Sequence, residues 1–203
     1  MGWRSMGSQG VFICIEGLDG SGKTTQAKLL VRVLRKNYDA VYTAEPSKGK
    51  IGKFIKQHCL HSDKRNSGVV EALLFAADRS EHVENTVLPA LKKGQIVVSD
   101  RYVYSSLAYQ GATGLDLGWI EKINMHAIRP DLAIFLDVEP ETVVQRLKPR
   151  KSVMENLETQ EKVRKVYAEF VGKGELVRVD GNKPKNEVAG DVAAVVEGFL
   201  KRI

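Results

Sequence analysis

The sequence predicts an α/β fold in which a five-stranded parallel sheet is flanked by helices on both faces. Two patterns carry that expectation. Short aliphatic and β-branched runs recur without period-two alternation, as in strands buried on both faces. Longer amphipathic stretches separate them, and regular strand–helix alternation produces a doubly wound sheet. The 203 residues suffice for one domain with a sizeable core.

In chain order, the run Val-Phe-Ile-Cys-Ile at 11–15 is the first strand, and a glycine-rich turn leads into a helix over 22–37. Further strands are expected at 40–43, 96–99, 132–136 and 176–179, each short and aliphatic. Helical spacing marks 50–59, 68–92, 116–128, 139–148, 153–171 and 185–202. Active sites in such folds lie at the carboxyl ends of the strands. Chemistry is therefore sought just after residues 15, 43, 99 and 136.

Bulk composition narrows the function classes. No apolar run approaches the ~20 residues that span a membrane. Residues 1–10 lack the apolar stretch of a signal peptide, and Met6 stands where myristoylation requires Ser or Thr. Met6 is an alternative start. Two cysteines, Cys14 and Cys59, build neither a disulfide framework nor a zinc site, and a reducing cytoplasmic setting is expected. The net charge of +6 is dispersed, with concentrations at 146–151 and 162–165. No basic arm or interleaved aromatic pattern marks a nucleic-acid partner. The surplus is read as solvated surface, with a minority clustered around a phosphate-rich ligand. The four histidines form no metal-ligand pattern.

After the first strand comes Gly17-Leu18-Asp19-Gly20-Ser21-Gly22-Lys23-Thr24-Thr25. This complete G-x-x-x-x-G-K-T pattern stands in the strand–loop–helix context that a phosphate loop requires. Glycines turn backbone N–H groups inward around phosphate oxygens, and the following helix adds partial positive charge at its N-terminus. Lys23 is expected at the β- and γ-phosphates of ATP, and the Thr24 hydroxyl on Mg²⁺. The guanine-reading N-K-x-D pattern is absent, since Asn182-Lys183 is followed by Pro184-Lys185. A second constellation, Asp100-Arg101-Tyr102, closes the third strand. A carboxylate there suits metal or acceptor contacts, and a planar guanidinium suits a phosphate. The alternative is an Asp–Arg surface pair.

Together with Asp100-Arg-Tyr-Val-Tyr-Ser-Ser-Leu-Ala-Tyr-Gln-Gly111, this loop resembles thymidylate kinase. So do Leu73-Leu-Phe-Ala-Ala-Asp-Arg79, Arg129-Pro-Asp-Leu-Ala-Ile-Phe-Leu-Asp137 and the basic stretch 146–155, so the resemblance runs from about residue 11 to about 180. It implies a P-loop NTPase fold with a short mobile lid, and one kinase domain over 1–203. The phosphate loop would be 17–25, the acceptor region about 45–110 and the lid about 146–156. ATP and thymidine monophosphate are the implied substrates, with Mg²⁺ held at Thr24 and Asp100, and a homodimer packed on the 68–92 helix.

The resemblance also implies individual roles. Asp19 would accept the acceptor sugar's 3′-hydroxyl. Phe75 would stack on thymine and Arg79 donate to its carbonyl; four residues apart on a helix, they share one face. The alternative is a core Phe75 and a surface Arg79. Asp100 and Arg101 would hold the acceptor phosphate and metal. Tyr109 would occupy the space of a ribose 2′-hydroxyl, with Ser106 and Gln110 near the base. Adenine would rest near residues 180–183. Two departures stand out. Some members carry an arginine within the loop, where this chain has Gly20; members without it place catalytic arginines in the lid. Arg150 is preferred here, then Arg146, among Lys148 and Lys151, the alternative being a solvated basic helix end. Where many relatives have a phosphate-binding arginine, the loop after the second strand offers Lys48. Competing functions are another nucleoside monophosphate kinase, a deoxynucleoside kinase using Glu16 or Asp100 as base, or a non-enzymatic ATP-dependent switch.

Overall fold

The structure, a computed structural model, describes residues 10–60, 66–147 and 156–203. Five parallel strands form one sheet in the order β2-β3-β1-β4-β5. They are β1 (Val11–Gly17), β2 (Ala40–Ala44), β3 (Ile96–Asp100), β4 (Leu132–Asp137) and β5 (Val177–Asp180). The register sets Ile15 opposite Asp100 and Gly17 opposite Leu136. The end of β1 is thereby held between the tips of β3 and β4.

Alternate side chains of β1 enter different cores. Phe12 and Cys14 pack with Tyr102, Leu107, Phe135 and Tyr167. Ile13 and Ile15 pack with Leu30, Val31, Val98, Ile134 and Val192. The second core is covered by α1 (Lys23–Leu34) and α9 (Lys185–Leu200), the first by α5 (Val103–Ala112) and α8 (Leu157–Gly172). A central strand with both faces dry needs apolar residues at successive positions, which is why β1 reads as a continuous apolar run.

The segment 68–92 is helical throughout as Gly68–His82, a π-helical turn Val83–Val87 and Leu88–Lys92. Its first turn is capped by Ser67, whose hydroxyl accepts from the Val70 amide. The remaining helices are Lys50–His58, Leu117–Ile123 and Pro140–Arg146. None of the described helices is long and apolar enough to cross a membrane.

Two expectations need correction. Val103–Ala112 is a helix that the periodicity did not announce, because Tyr104, Ser106, Leu107, Ala108, Tyr109 and Gln110 are all buried and no polar face marks the period. β5 was expected to be dry on both faces, but only Val179 of its four residues is buried. It is an edge strand, covered on one side only. The lid expected over about 146–156 lies outside the described residues, except for Arg146, Leu147 and Asn156.

Candidate nucleotide-binding site

The phosphate loop leaves β1 at Gly17, where the sheet has no room for a side chain. A Cβ there would sit 2.8 Å from the Leu136 carbonyl oxygen and 2.9 Å from Ser21 Oγ. Gly20 has φ +83, and a Cβ would meet the Val143 carbonyl oxygen at 3.1 Å and Leu147 Cγ at 3.2 Å. The arginine that some relatives carry inside this loop would thus be strained here. α1 begins directly after Gly22, with no side chain capping its first turn. Its leading amides are of the kind that bind anions.

Lys23 is 5% exposed and its Nζ donates to the Leu18 carbonyl oxygen at 2.5 Å. Burial, reinforced by the charge of Arg101, pushes its pKa down to about 8. A triphosphate would favour the ammonium and raise that pKa. Above pH about 8 the ligand-free site loses its proton while the complex keeps it, so the Lys23 contribution to ATP affinity is constant below pH 8 and falls as pH rises. Calorimetry at pH 8.5 in buffers of different ionisation enthalpy is expected to show uptake approaching one proton per ATP bound. A binding heat independent of the buffer would remove Lys23 from the phosphates.

Arg101 follows β3 in the left-handed region, with φ 70. It is the only such non-glycine residue among those described, and the conformation costs about 1–2 kcal/mol. Three bonds hold it. The Arg101 amide donates to the Ile15 carbonyl, and Ser99 Oγ donates to the Arg101 carbonyl at 2.7 Å. The Tyr102 amide donates to Glu16 Oε1 at 2.8 Å. So turned, the guanidinium lies over the Tyr109 ring, 5.1 Å from its centre, and Nη2 pairs with Asp19 Oδ1 in the phosphate loop. The Tyr109 hydroxyl accepts from the Asp19 amide at 2.8 Å. Burial works against the Asp19 charge, but Arg101, Lys23 and Tyr109 outweigh it and hold the carboxyl below its usual range.

Thr24 Oγ1 donates to Asp100 Oδ2 at 2.5 Å, and Tyr42 reaches the same oxygen at 3.3 Å. Asp100 Oδ1 is buried with no hydrogen-bond partner. Among the described residues no group of three or more His, Cys, Asp or Glu could hold a metal. A hydroxyl and a carboxylate with one idle oxygen nevertheless fit Mg²⁺, which takes one or two protein ligands and fills the rest with phosphate and water.

A second cluster sits behind Asp100, joined to it where the Glu45 amide donates to the Asp100 carbonyl. Arg79, 2% exposed, donates from Nη2 to Glu45 Oε2 at 2.6 Å and Ser106 Oγ at 3.2 Å, and from Nη1 to Asn124 Oδ1 at 2.5 Å. Its Nε is buried without a partner, as is Gln110 Oε1. The surface alternative for Arg79 does not match this placement, since the side chain is clamped inside with Nε left over. Phe75 is partly buried one turn earlier on the same helix. Lys48 is exposed between β2 and Lys50–His58.

Arg146, the last residue of its helix, is exposed, with Nη1 3.4 Å from the Gly20 carbonyl oxygen. Arg150, Lys148 and Lys151 lie outside the described residues. The loop after β5 folds back on β4, with the Gly181 amide on the Asp137 carbonyl and Asn182 accepting from the Glu139 amide. Of the basic concentration at 162–165, Lys162 pairs with Glu158, and Arg164 with Asp137 and Glu139, so much of it is locally balanced. Glu16, a candidate base for nucleoside phosphorylation, is fully buried and already accepts three hydrogen bonds.

The residues thus brought together are Asp19, Arg101 and Tyr109 by direct contacts, Thr24 and Asp100 by a hydrogen bond, and Lys23 through its charge, with Arg79 and Ser106 as a neighbouring set. Sequence reasoning missed Glu45, Asn124, Ser105 and Tyr42 as partners. Only Glu45 carried a signal, at the tip of β2.

Residues 15–192 match the family model described as thymidylate kinase. The chain belongs to the thymidylate kinase family. A protein of Pyrococcus abyssi named probable thymidylate kinase is 44% identical over 201 residues, covering 95% of this chain and 98% of its own. A Thermococcus onnurineus protein of the same name is 44% identical over 205 residues, covering 95% and 100%. One from Pyrobaculum calidifontis is 41% identical over 189 residues, covering 92% and 96%.

Proposed function

We propose that the protein transfers the γ-phosphoryl group of ATP to thymidine monophosphate, giving thymidine diphosphate and ADP. One observation carries this: Arg101 and Lys23 both act on Asp19, Arg101 by direct pairing and Lys23 by its charge. Two cations that act on one loop carboxylate suit two phosphates that must meet.

The acceptor phosphate oxygen is already anionic, so no base is required; alignment and charge neutralisation suffice. A bond forms between that oxygen and the γ-phosphorus as the bond to the β-phosphate oxygen breaks. The loop amides from Gly17 through Thr25 hold the triphosphate, and Lys23 neutralises charge at its β,γ end. Arg101 binds the acceptor phosphate, with Lys48 as a further point charge. Thr24 and Asp100 would hold Mg²⁺, which when bound supplies positive charge to the phosphates. Phe75, Arg79, Ser106 and Gln110 receive the base, and Asp19 the sugar hydroxyl. Arg150, with Arg146 beside the loop, supplies a lid arginine in cis. The whole chain then works as one kinase domain in the cytoplasm. Val69, Val70 and Leu73, exposed along one helix, suit pairing with a second copy.

A deoxynucleoside kinase is less favoured, since Glu16 is buried and Asp100 faces Thr24. A coupled assay offering each nucleoside monophosphate and nucleoside with MgATP decides between them. Turnover highest with thymidine monophosphate is expected, and turnover of an unphosphorylated nucleoside alone would overturn the proposal.

Tyr109→Ala opens the space beside the sugar. It also disturbs Arg101, but equally for both acceptors, so the effect on sugar choice is read in a ratio. The deoxy-over-ribo ratio of kcat/KM is expected to fall roughly ten-fold or more. An unchanged ratio would leave Tyr109 as a support for Arg101 only.

A further inference from the structure

We infer that Glu16 is a positioning residue that sets Arg101 for the acceptor phosphate through Ser105 and the Tyr102 amide. The inference rests on the kinase function proposed above and adds to it a control of the acceptor side.

Glu16 lies on β1 directly before the phosphate loop and is 0% exposed, so no ligand touches it. Its two oxygens are divided between two tasks. Oε1 accepts the Tyr102 amide at 2.8 Å, the first amide after the left-handed residue. Oε2 accepts Ser105 Oγ at 2.6 Å and the Tyr167 hydroxyl at 3.1 Å. Ser105 Oγ in turn accepts from Arg101 Nη1 at 3.0 Å. Glu16 therefore grips both ends of Arg101: the backbone at the residue that follows it, and the guanidinium through one hydroxyl. Tyr167 anchors the carboxylate from α8.

The bonds as they stand use the carboxylate. Both oxygens act only as acceptors, so a proton on Oε1 must evict the Tyr102 amide, and one on Oε2 must turn Ser105 or Tyr167 from donor to acceptor and removes the charge that favours this arrangement around Arg101. Burial raises the Glu16 pKa to about 7, even though Ser105, Arg101, Tyr167 and the Tyr102 amide all favour the charged form. The other groups that sense its charge are Lys23 from α1 and Cys14 from β1. The working form is ionised, and grip on Arg101 weakens as pH falls through 7.

Glu16→Gln keeps the shape and removes the charge. At pH 8 the acceptor kcat/KM is expected to fall roughly ten- to hundred-fold, a misplacement effect, while the ATP KM changes little. Below pH 6 the variant and wild type converge, because the wild-type residue is then also neutral. Acceptor and ATP phosphates titrate near pH 6 in both proteins and cancel from that comparison. Tyr167→Phe removes one bond favouring the carboxylate, so the acidic limb moves to higher pH with the plateau kept. Ser105→Ala cuts the side-chain link, and Glu16→Gln on that background has a much smaller effect than on wild type.

In the free protein, the guanidinium NMR signals of Arg101 are expected to titrate near pH 7 in wild type and not in Glu16→Gln. That readout needs no turnover. A wild type that phosphorylates no monophosphate would sink the kinase proposal while the NMR titration still decides the positioning. A Glu16→Gln deficit equal at all pH values, or equal for ATP and acceptor, with no Arg101 titration, would overturn the inference.

Discussion

Lys23→Ala is expected to lower kcat for phosphoryl transfer by roughly 10³-fold or more, the order seen when a dedicated charge-stabilising group is removed. The ammonium sits inside the phosphate loop, shielded from water, where charge acts more strongly than at a surface. Among the described residues, no neighbouring cation is free to replace it. Arg101 is held by Asp19 and Ser105, and Arg146 is exposed and at the limit of reach of the loop. The fold is expected to survive. Burial already disfavours the charged lysine, so its loss relieves one unfavourable contribution and forfeits one hydrogen bond to Leu18. A melting temperature within a few degrees, roughly 1 kcal/mol, should accompany the kinetic collapse. A variant with near-normal kcat would show that the loop does not carry the γ-phosphoryl group in transfer.

The second large effect is expected at Arg101. Arg101→Ala should raise the acceptor KM and lower kcat together, costing on the order of 10²- to 10³-fold in acceptor kcat/KM, with the ATP KM nearly unchanged. An unchanged acceptor KM would mark the residue as structural. The backbone adds a stability test. Alanine inherits the left-handed conformation at φ 70, whereas glycine adopts it freely. Arg101→Gly is therefore expected to be as inactive as Arg101→Ala but more stable, by about 1 kcal/mol in denaturant unfolding. Equal stabilities would mean that the three bonds around the turn had relaxed in the alanine variant.

The strands were legible because dry strands leave uninterrupted apolar runs, and residues 11–15, 40–43, 96–99, 132–136 and 176–179 all fall in or overlap the strands observed. The helix over 68–92 was legible for its length, its π-helical turn notwithstanding. Val103–Ala112 was hidden because burial around most of its circumference erases the polar face that reveals a helix. The phosphate loop is local in sequence, so its geometry could be read from spacing. The clamp on Arg79 is not local: Glu45, Ser106 and Asn124 arrive from three separate segments, and no spacing rule links them. Glu16 entered the sequence reading only as the base of a rival deoxynucleoside kinase, for a related reason. A carboxylate beside a phosphate loop suggests chemistry, and only the packing of Tyr102, Ser105 and Tyr167 around it shows that it faces inward.

The pairing of Arg101 with Asp19 has a consequence for what the empty protein ignores. A bare guanidinium beside a buried ammonium would be a trap for any stray anion in the cell, sulfate and orthophosphate among them. An internal counter-ion covalently tied to the loop competes with those solutes at a high effective concentration. In the binding mode proposed above, a nucleotide displaces it because a sugar hydroxyl offers the freed carboxylate a new partner while the phosphate takes the arginine. Sulfate brings no such hydroxyl, so it would leave the carboxylate stranded.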